Sequence, residues 1–327
     1  HIRCLDMSLI SSAGKVLANF PHLKDGVKKL DIVRSILDKQ AEARYNYYAN
    51  LDPSTYPAEL ARWYESTTGT PLDLENPQTF NEKIQWLKLY DSTPLKTRLT
   101  DKYLAREWIA EKIGEEYLIP LLGVWDSFDE IDFDALPNQF VLKANHGSGW
   151  NVIVKDKATL DKVDAEVKFD KWMKLNFAYM AGLELHYKDI VPKIVAEKYI
   201  ENDEGGLSDY KIHCFNGKPM YIQYIGDRAY HSVKAAFFDP EWRLMSFTSR
   251  TYPRCDVQIP APERLNELLQ FAEILAKEFI YVRVDFYVLN DGSFKFGEMT
   301  FTPASGVSGW EPPEYNSKLG ELLVLPQ

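Results

Sequence analysis

Residues 281–306, YVRVDFYVLNDGSFKFGEMTFTPASG, constrain the fold more than any other part of the chain. Valine and phenylalanine alternate with charged residues and tyrosine up to an Asn-Asp-Gly sequence, and a second alternating run follows it. Alternation with a period of two is typical of a half-buried strand, and Asn, Asp and Gly favour turns. The stretch therefore predicts a β-hairpin.

Charged residues of this hairpin share one face. Arg283 and Asp285 are two residues apart on the first strand, and Glu298 and Thr300 are two apart on the second. Because alternate residues of a strand point to the same side, Asp285 and Glu298 can meet across the hairpin beside Arg283. Carboxylates among apolar neighbours are costly to bury without a cation, and oxygen ligands suit Mg²⁺ that nucleotide phosphates also hold. The alternative is a solvent-facing hairpin whose charges have no further role.

A glycine-containing loop is the second candidate for chemistry. The sequence NHGSGW, residues 145–150, joins two predicted strands, QFVLKA and NVIVKD, each of which carries a lysine. Gly147 and Gly149 around Ser148 allow backbone N–H groups to approach a bound anion. The loop differs from a P-loop, because Gly-Lys-Ser/Thr is absent and a strand follows it. We interpret it as a candidate phosphate-binding loop, and a plain hairpin loop is the alternative.

A third candidate is the end of a predicted buried strand, KIVAEKYIE, at residues 193–201. Backbone groups at such a strand end can pair with an adenine edge, and a carboxylate there can hold ribose hydroxyls. Lys102 is a weaker signal. It falls in the first turn of a predicted helix that Thr100 or Asp101 would cap, where a lysine is mildly unfavourable against the helix dipole. It is therefore free to serve another purpose.

The remaining elements are predicted from their periodicity and caps. Residues from about 24 to 66 are predicted to be helical and carry no chemical signal; their aromatic residues are interpreted as packing, with a carbohydrate-stacking surface as the alternative. Thr79 or Asn81 would cap the next helix. A helix over about 158–175 would turn Leu160, Val163, Val167 and Trp172 inward. From residue 208 the pattern predicts an antiparallel meander that ends in a strand at 242–247, WRLMSF. An amphipathic helix over 262–279 then leads into the hairpin.

Composition sets the class of protein. The chain has 327 residues, 45% apolar and 26% charged, which is typical of a folded protein with two or three subdomains. A net charge of −10 argues against a general nucleic-acid binder. Three cysteines are too few for a disulfide scaffold, and about 18 consecutive apolar residues, as a transmembrane helix needs, are absent. We therefore expect a cytoplasmic protein.

The order of these motifs resembles the ATP-grasp fold, in which two α+β lobes clamp ATP. The two carboxylates lie 13 residues apart with a turn between, and an Arg-x-Asp strand precedes the second, as in ligases of the D-alanine–D-alanine ligase type. The chain closely resembles the TupA-like ATP-grasp proteins of bacterial surface-polysaccharide gene clusters. The stretches that carry this resemblance are TFNEKIQWLKLYD, LTDKYLAREWIAEKIGEEYLIPLLGVWDSFDEIDF, FVLKANHGSG, AEKYIE, DYKIHCFNGKP and RVDFYVLNDGSFKFGEMTFTPASG.

The resemblance implies an α+β ATP-grasp architecture. It divides the chain into a helical N-terminal region (1–99), an N-terminal lobe with the glycine-rich loop (100–196) and a C-terminal lobe with the metal carboxylates (197–327). ATP and Mg²⁺ would be the cofactors. The implied nucleotide-binding residues are Lys102 and Lys143 near the phosphates or adenine, Asn145, His146, Gly147, Ser148 and Gly149 over the phosphates, Glu197, Lys198 and Tyr199 at the adenine, and Glu201 at the ribose.

The resemblance also implies catalytic and metal-binding residues. Lys211 would reach the γ-phosphate, and Arg283 would steady an acyl phosphate or oxyanion. Asp285 and Glu298 would hold Mg²⁺. Many ATP-grasp ligases have Glu-x-Asn where this chain has Glu298-Met299-Thr300, so a second Mg²⁺ is less secure, although the Thr300 hydroxyl can still reach a metal.

The namesake of the family is linked to joining a polyglutamate to a uronic-acid polymer, so the implied reaction is ATP-dependent amide ligation through an acyl phosphate. The partners would be a sugar acid or polysaccharide acceptor and an amino acid as the amine. Contact with membrane-bound polysaccharide machinery would be peripheral. Two alternatives use the same scaffold: a kinase for a sugar hydroxyl and a non-catalytic nucleotide-binding module. A glycosyltransferase would need an Asp-x-Asp motif, and we find no convincing one.

Overall fold

The computed structural model describes residues 26–201, 207–226, 234–255 and 259–326. Residues 1–59 and 60–327 cluster into two compact units. The first unit contains α1 (Gly26–Ala49), which agrees with a helical N-terminal region. The second contains the sheets of the described chain. The boundaries expected at residues 99 and 196 stay predictions.

Several helices begin and end where the sequence places caps. Thr79 accepts a hydrogen bond from the Glu82 N–H, and the Glu82 carboxylate accepts one from the Thr79 N–H at 2.8 Å, which completes a capping box. Gly114 ends another helix with φ of 110°. The helices after α1 are α2 (Tyr56–Thr68), α3 (Phe80–Tyr90), α4 (Pro94–Thr100), α5 (Ala105–Ile113), α6 (Lys162–Trp172), α7 (Leu265–Ala276) and α8 (Tyr315–Leu322).

Two antiparallel sheets dominate the second unit. The first has the order β1-β4-β2-β3 and consists of β1 (Leu121–Trp125), β2 (Phe140–Ala144), β3 (Asn151–Val154) and β4 (Ile194–Lys198). The second has the order β10-β9-β5-β6-β7, and a separate pair joins β8 to β11. These strands are β5 (Ser208–Phe215), β6 (Lys218–Gly226), β7 (Lys234–Phe238), β8 (Thr248–Ser249), β9 (Tyr281–Val288), β10 (Phe294–Thr300) and β11 (Trp310–Glu311).

Each large sheet has an apolar face covered by helices. Leu268, Ala272 and Leu275 of α7 share a buried cluster with Ile212 of β5 and Val284 of β9. The four-stranded sheet shares a similar cluster with α6. Because successive residues of a strand alternate between faces, the neighbours of these apolar residues on β5 and β9 point to the opposite face of the sheet. That face carries the charged residues.

Three local predictions were wrong. The helix predicted over 158–175 is α6, which Asp161 caps by accepting from the Asp164 N–H. Its Val163 and Val167 are 71% and 63% exposed, while Ala165 and Phe169 are buried. Both pairs have i, i+4 spacing, so periodicity alone does not say which one packs.

The strand predicted at 242–247 is replaced by a single bridge between Phe238 and Leu244. Trp242 adopts a positive φ of 62°, stacks on Phe238 at 4.1 Å between ring centroids and donates its indole N–H to the Ile259 carbonyl oxygen. These contacts direct residues 242–247 away from strand pairing with β7. Lys102 also lies ahead of α5 and not within its first turn.

We expect Thr79→Ala to lower the free energy of unfolding by about 1 kcal/mol, because the capping box is lost. Urea denaturation measures this change. Thr67→Ala is the control, since Thr67 is exposed inside α2 and its hydroxyl bonds only to the Trp63 carbonyl of its own helix. That change should stay within about 0.5 kcal/mol. Equal losses in the two variants would contradict the role of the cap.

Candidate active site

Strand pairing aligns three of the predicted residues in a row across the five-stranded sheet. Lys211 of β5 lies opposite Asp285 of β9, and Asp285 lies opposite Glu298 of β10. We call these three residues the charged row. The next row on the same strands contains His213, Arg283 and Thr300.

A β-bulge decides that Glu298 joins this row. Phe296 pairs with Phe286, and Glu298 then pairs with Asp285, so Gly297 is the extra residue between them. Without the bulge, Glu298 would face the same side as Phe296, which is in the apolar cluster. The bulge therefore turns the carboxylate away from the core and toward Asp285.

Asp285 is buried, with 1% of its surface exposed, and is bound by two cations. Arg283 donates from Nε to Oδ1 and from Nη2 to Oδ2, both at 2.7 Å, and Lys211 Nζ also donates to Oδ2. Burial alone would raise the pKa of Asp285, but the charges of Arg283 and Lys211 outweigh it and lower the pKa below its ordinary value. Asp285 is therefore an ionised carboxylate.

The guanidinium of Arg283 also reaches the neighbouring strand. Its Nη2 lies 3.0 Å from Thr300 Oγ1 and 3.4 Å from Glu298 Oε1. Within the described residues its Nη1 group donates no hydrogen bond, so those N–H groups remain for a ligand. Asp285 raises the pKa of Arg283 despite burial, which keeps the guanidinium charged. The geometry thus combines charge compensation with spare donors.

Lys211 connects the charged row to a further carboxylate. Its Nζ lies 2.9 Å from Asp209 Oδ2. Burial opposes the charge on Lys211, but Asp285 and Asp209 raise its pKa above the ordinary value. With Arg283 and Glu298 included, the cluster contains two cations and three carboxylates, which leaves one net negative charge. Such a cluster favours an added cation.

The donor atoms fit Mg²⁺ only with phosphate oxygens as partners. The Glu298 side chain is 41% exposed, whereas both Asp285 oxygens already accept hydrogen bonds. Within the described ranges, no group of three or more His, Cys, Asp or Glu residues is arranged to hold a metal ion. Mg²⁺ commonly binds one or two carboxylates together with nucleotide phosphates. Asp285, Glu298 and the Thr300 hydroxyl therefore supply a suitable partial ligand set.

The four-stranded sheet carries a second ionic cluster, centred on Glu197 of β4. Lys143 Nζ lies 2.5 Å from Glu197 Oε2, and Arg106 Nη1 lies 3.1 Å from Oε1. Arg106 Nη2 also donates to the Ile119 carbonyl oxygen at 2.7 Å. Lys143 and Glu197 are thus brought together, but each is satisfied by protein groups. Their roles toward a nucleotide stay predictions.

Lys102 lies between the two ionic clusters. Its Nζ donates to the Gly147 carbonyl oxygen at 2.5 Å, and its backbone N–H donates to the Asn145 carbonyl oxygen at 3.2 Å. Burial lowers the pKa of Lys102, the Glu298 carboxylate raises it and the Lys143 ammonium lowers it further. Glu298 and Lys143 belong to different sheets, so Lys102 contacts the glycine-containing loop and is influenced by charges on both sheets.

The side chains at the start of the 145–150 loop anchor it. Asn145 donates to the Val191 carbonyl oxygen at 3.0 Å and accepts from the Lys193 N–H at 2.7 Å. The two ring nitrogens of His146 lie 3.1 Å from Asn145 Oδ1 and 3.0 Å from the Trp172 carbonyl oxygen, and a neutral imidazole donates its single N–H to one of these oxygens. Burial lowers the pKa of His146, so the imidazole is neutral at pH 7. Both residues are buried and hold the loop at its base.

The glycines give the loop its shape, and Ser148 lies between them. A side chain at Gly147 would place Cβ 2.2 Å from the Trp150 ring, and Gly149 adopts a φ of 74° in an exposed position. Only glycine suits both constraints. The backbone can therefore run close to a bound anion, as predicted from the sequence, although no described contact tests that role.

Residues after β4 form an exposed cluster with Lys155. Tyr199 donates its hydroxyl to Glu201 Oε2 at 2.8 Å, and Lys155 Nζ lies 3.7 Å from the same carboxylate oxygen. Lys198 is exposed, and its backbone N–H donates to the Pro120 carbonyl oxygen at 2.9 Å. The structure brings Tyr199 and Glu201 together, and their contacts with adenine and ribose stay predictions.

Sequence reasoning missed two members of these clusters. Arg106 appears as an ordinary residue of a helix, and its contact with Glu197 depends on how α5 packs against β4. Asp209 is two residues before Lys211, a spacing that places them on one face of a strand and could have flagged it. Both serve the charge balance of residues that the sequence did identify.

Comparison with known proteins supports the assignment that the motifs suggest. The sequence profile described as TupA-like ATPgrasp matches residues 82–324, which is most of the chain and includes both ionic clusters. The chain belongs to the TupA-like ATP-grasp family. Its two antiparallel sheets with covering helices therefore form an α+β ATP-grasp fold, as predicted. A search of curated proteins gave no match.

The solved structures that resemble this TupA-like protein have low sequence identity to it and low TM-scores. An L-amino acid ligase from Bacillus licheniformis is 16% identical with a TM-score of 0.41, over 71% of this chain and 50% of that chain. A biotin carboxylase–beta-gamma-ATP complex from Campylobacter jejuni is 16% identical with a TM-score of 0.38, over 70% of this chain and 47% of that chain. N5-carboxyaminoimidazole synthetase from Staphylococcus aureus is 12% identical with a TM-score of 0.35, over 62% of this chain and 44% of that chain. The chain thus spans about half the length of these structures or less, and the family assignment rests on the profile.

Membrane insertion can be assessed for the described helices. None of the helices in the described ranges is long and apolar enough to cross a bilayer.

We expect Asp285→Asn to destabilise the protein by about 3 kcal/mol or more, because it leaves Arg283 and Lys211 buried without their shared carboxylate. Glu298→Gln is the matched control and should change the free energy of unfolding by less than about 1 kcal/mol, because Glu298 is partly exposed. Urea denaturation of both variants without nucleotide measures this difference.

The loss of stability in Asp285→Asn should also depend on pH. Because the folded pKa of Asp285 is lowered, its stabilisation is complete above the unfolded value of about 3.9 and is lost as pH falls through the folded pKa. The stability difference between wild type and Asp285→Asn should therefore be constant at neutral pH and shrink below about pH 4. A difference that grows on acidification would contradict the assigned charge state.

Proposed function

We propose that this protein is an ATP-dependent carboxylate–amine ligase. It would activate the carboxylate of a sugar acid, join it to an amino acid and release ADP and phosphate. The observation that carries the proposal is the charged row, in which two carboxylates and a lysine meet on adjacent strands of an ATP-grasp fold. This arrangement suits the binding of a nucleotide polyphosphate through Mg²⁺.

The proposed reaction has two steps that conserve atoms and charge. A carboxylate oxygen of the acceptor attacks the γ-phosphorus of ATP, the bond to the β-γ bridging oxygen breaks, and ADP leaves. The amine nitrogen then attacks the acyl carbon, a C–N bond forms, and phosphate leaves as the amine loses a proton. Mg²⁺, when bound by Asp285 and Glu298, would neutralise phosphate charge.

Side chains of the cleft would orient the reactants. Lys211 would hold the γ-phosphate, since its charge is maintained by Asp285 and Asp209. The Nη1 group of Arg283 would donate to the acyl phosphate or to the oxyanion of the tetrahedral intermediate. Lys102 and the glycine-containing loop would cover the phosphates and exclude water, which would otherwise hydrolyse the acyl phosphate.

The acceptor class is inferred from the family and not from a pocket. Proteins of this family are associated with surface polysaccharides that carry uronic acids, so we propose a uronic acid of such a polysaccharide or its precursor as the carboxylate. The amine would be an amino acid. Both choices depend on the family assignment. The described contacts are compatible with any carboxylate that reaches Arg283 beside the charged row.

A condensation screen tests the proposal. Uronic acids and amino acids are combined pairwise with ATP and Mg²⁺, and the products are analysed by mass spectrometry. We expect a condensed product together with ADP, formed only when both partners are present, and none with Asp285→Asn. A stable sugar phosphate formed without an amine would identify a kinase instead. AMP as the nucleotide product would contradict the acyl-phosphate route.

Arg283→Lys separates catalysis from charge compensation. Lysine keeps the charge but loses the planar fork that binds Asp285 twice and leaves Nη1 free. We expect turnover to fall by about 10²–10³-fold, the typical effect of losing one oxyanion donor. Binding of Mg·ATP should change little, because Lys143, Lys211 and Mg²⁺ would still hold the nucleotide. If calorimetry shows that Mg·ATP affinity falls as much as turnover does, Arg283 is an electrostatic support.

A further inference from the structure

A buried polar network lies beside the charged row and uses none of the residues assigned so far. Its centre is Lys88 of α3, whose side chain is fully buried. The ammonium donates to Gln85 Oε1 at 3.0 Å and to the Gly182 carbonyl oxygen at 2.8 Å. It also donates to Ser305, at 2.6 Å to the carbonyl oxygen and 2.8 Å to Oγ. Because a buried ammonium is costly without partners, these bonds fix its surroundings.

One segment held by this ammonium is the turn Pro303–Gly306, which follows β10, the strand of Glu298 and Thr300. Ala304 and Ser305 have φ values of 49° and 52°, a left-handed conformation that is unfavourable for residues other than glycine. Gln85 Nε2 also donates to the Ser305 and Gly306 carbonyl oxygens, at 3.1 and 2.8 Å. Side chains of α3 therefore hold a strained turn directly after Glu298 and Thr300.

The second segment is the connector at residues 177–187, which precedes β4. It contains two single turns of 3₁₀ helix, Phe177–Tyr179 and Leu185–Tyr187. Ser305 Oγ donates to the Ala181 carbonyl oxygen at 2.8 Å, and Thr302 Oγ1 donates to the Glu184 carboxylate. Lys88 is thus the common partner of a connector that enters the first sheet and a turn that leaves the second.

Tyr187 ends the second 3₁₀ turn of the connector, and the ring of its neighbour His186 meets Phe301, the residue after β10, at 5.9 Å between centroids. The Tyr187 ring packs on Phe177 and His186, with 4.6 Å between centroids in each case. Its hydroxyl makes no hydrogen bond to any described residue. Burial raises the pKa of Tyr187, the carboxylates Glu184 and Glu298 raise it further, and Arg283 lowers it. The phenol therefore keeps its proton, and the hydrogen bond from Thr302 to Glu184 holds its turn beside the end of β10, the strand of Glu298 and Thr300.

We propose that Tyr187 contacts the terminal phosphate of the bound nucleotide by donating its phenol O–H, and that Lys88 is the positioning residue that holds Tyr187 there. The inference rests on nucleotide binding at the charged row, as in the proposed function. A neutral donor without a protein partner suits this place, because an anionic phosphate needs donors and a further carboxylate would repel it.

The test compares binding of ADP with binding of the non-hydrolysable ATP analogue AMPPNP, each with Mg²⁺, by calorimetry. Only AMPPNP has the terminal phosphate. Tyr187→Phe removes the hydroxyl and keeps the ring, and Lys88→Met removes the ammonium from the network. Lys83→Met is the matched control. Lys83 lies on the same helix and also donates to two carbonyl oxygens, those of Gly320 and Leu323, but these belong to the C-terminal end of the chain.

We expect Tyr187→Phe to weaken AMPPNP binding about tenfold, the effect of losing a hydrogen bond to a charged group, with ADP affinity and thermal midpoint unchanged. Lys88→Met should show the same selective loss with a lower midpoint, whereas Lys83→Met should lower only the midpoint. If Lys88→Met does not fold, Ser305→Ala, which removes one acceptor of the ammonium, replaces it and should show the selective loss.

Unchanged AMPPNP affinity in folded Tyr187→Phe would overturn the contact. Equal losses for both nucleotides in Lys88→Met, or the same selectivity in Lys83→Met, would overturn the positioning role. Wild-type protein that fails to bind AMPPNP would overturn this inference together with the nucleotide site. Protein that binds AMPPNP but gives no condensed product would overturn only the proposed ligase reaction, and the comparison of variants would still be decisive.

Discussion

The burial of one carboxylate, Asp285, is the constraint on which the site depends. A carboxylate with 1% exposure stays ionised only if cations replace its water, and Arg283 and Lys211 supply that replacement. Each cationic side chain must then point at Asp285. The pairing of β5 with β9 places Lys211 opposite Asp285, and Arg283 lies two residues before it on β9. The result is a rigid anionic centre whose exposed edge is Glu298. A buried ionic cluster is often no more stabilising than apolar residues packed in its place, although removing a single member is costly, so we attribute this arrangement to ligand binding.

The two faces of the five-stranded sheet have different roles: one packs in the apolar core and the other carries the candidate site. Apolar residues of β5 and β9 meet α7 on one face, while the charged row occupies the other. Because the apolar face is covered by helices, the register of these strands is strongly specified. A slip of one residue would turn Lys211 into the apolar cluster and Ile212 toward the charged face. Core packing therefore enforces the geometry of the ionic face, and Lys102 extends that face toward the four-stranded sheet.

Sequence reasoning found the residues whose relationship is local. The spacing of Arg283 and Asp285 along one strand predicted their shared face. It also placed Glu298 near Asp285, but the reason lies in the bulge at Gly297, which the alternation did not predict. A close approach explains that residue, because a Cβ there would lie 3.1 Å from the Asp285 carbonyl oxygen. Arg106 was missed, since its partner comes from packing between elements distant in sequence.

Anomalous diffraction with Mn²⁺ and AMPPNP tests the central claim most directly, because Mn²⁺ takes the same oxygen ligands as Mg²⁺ and its anomalous signal distinguishes it from water. The account predicts a peak within coordination distance of the Asp285 and Glu298 carboxylates. The nucleotide phosphates should lie between that peak and Lys102, beneath the 145–150 loop. A peak away from these two carboxylates, or a nucleotide bound outside the space between the two ionic clusters, would contradict it.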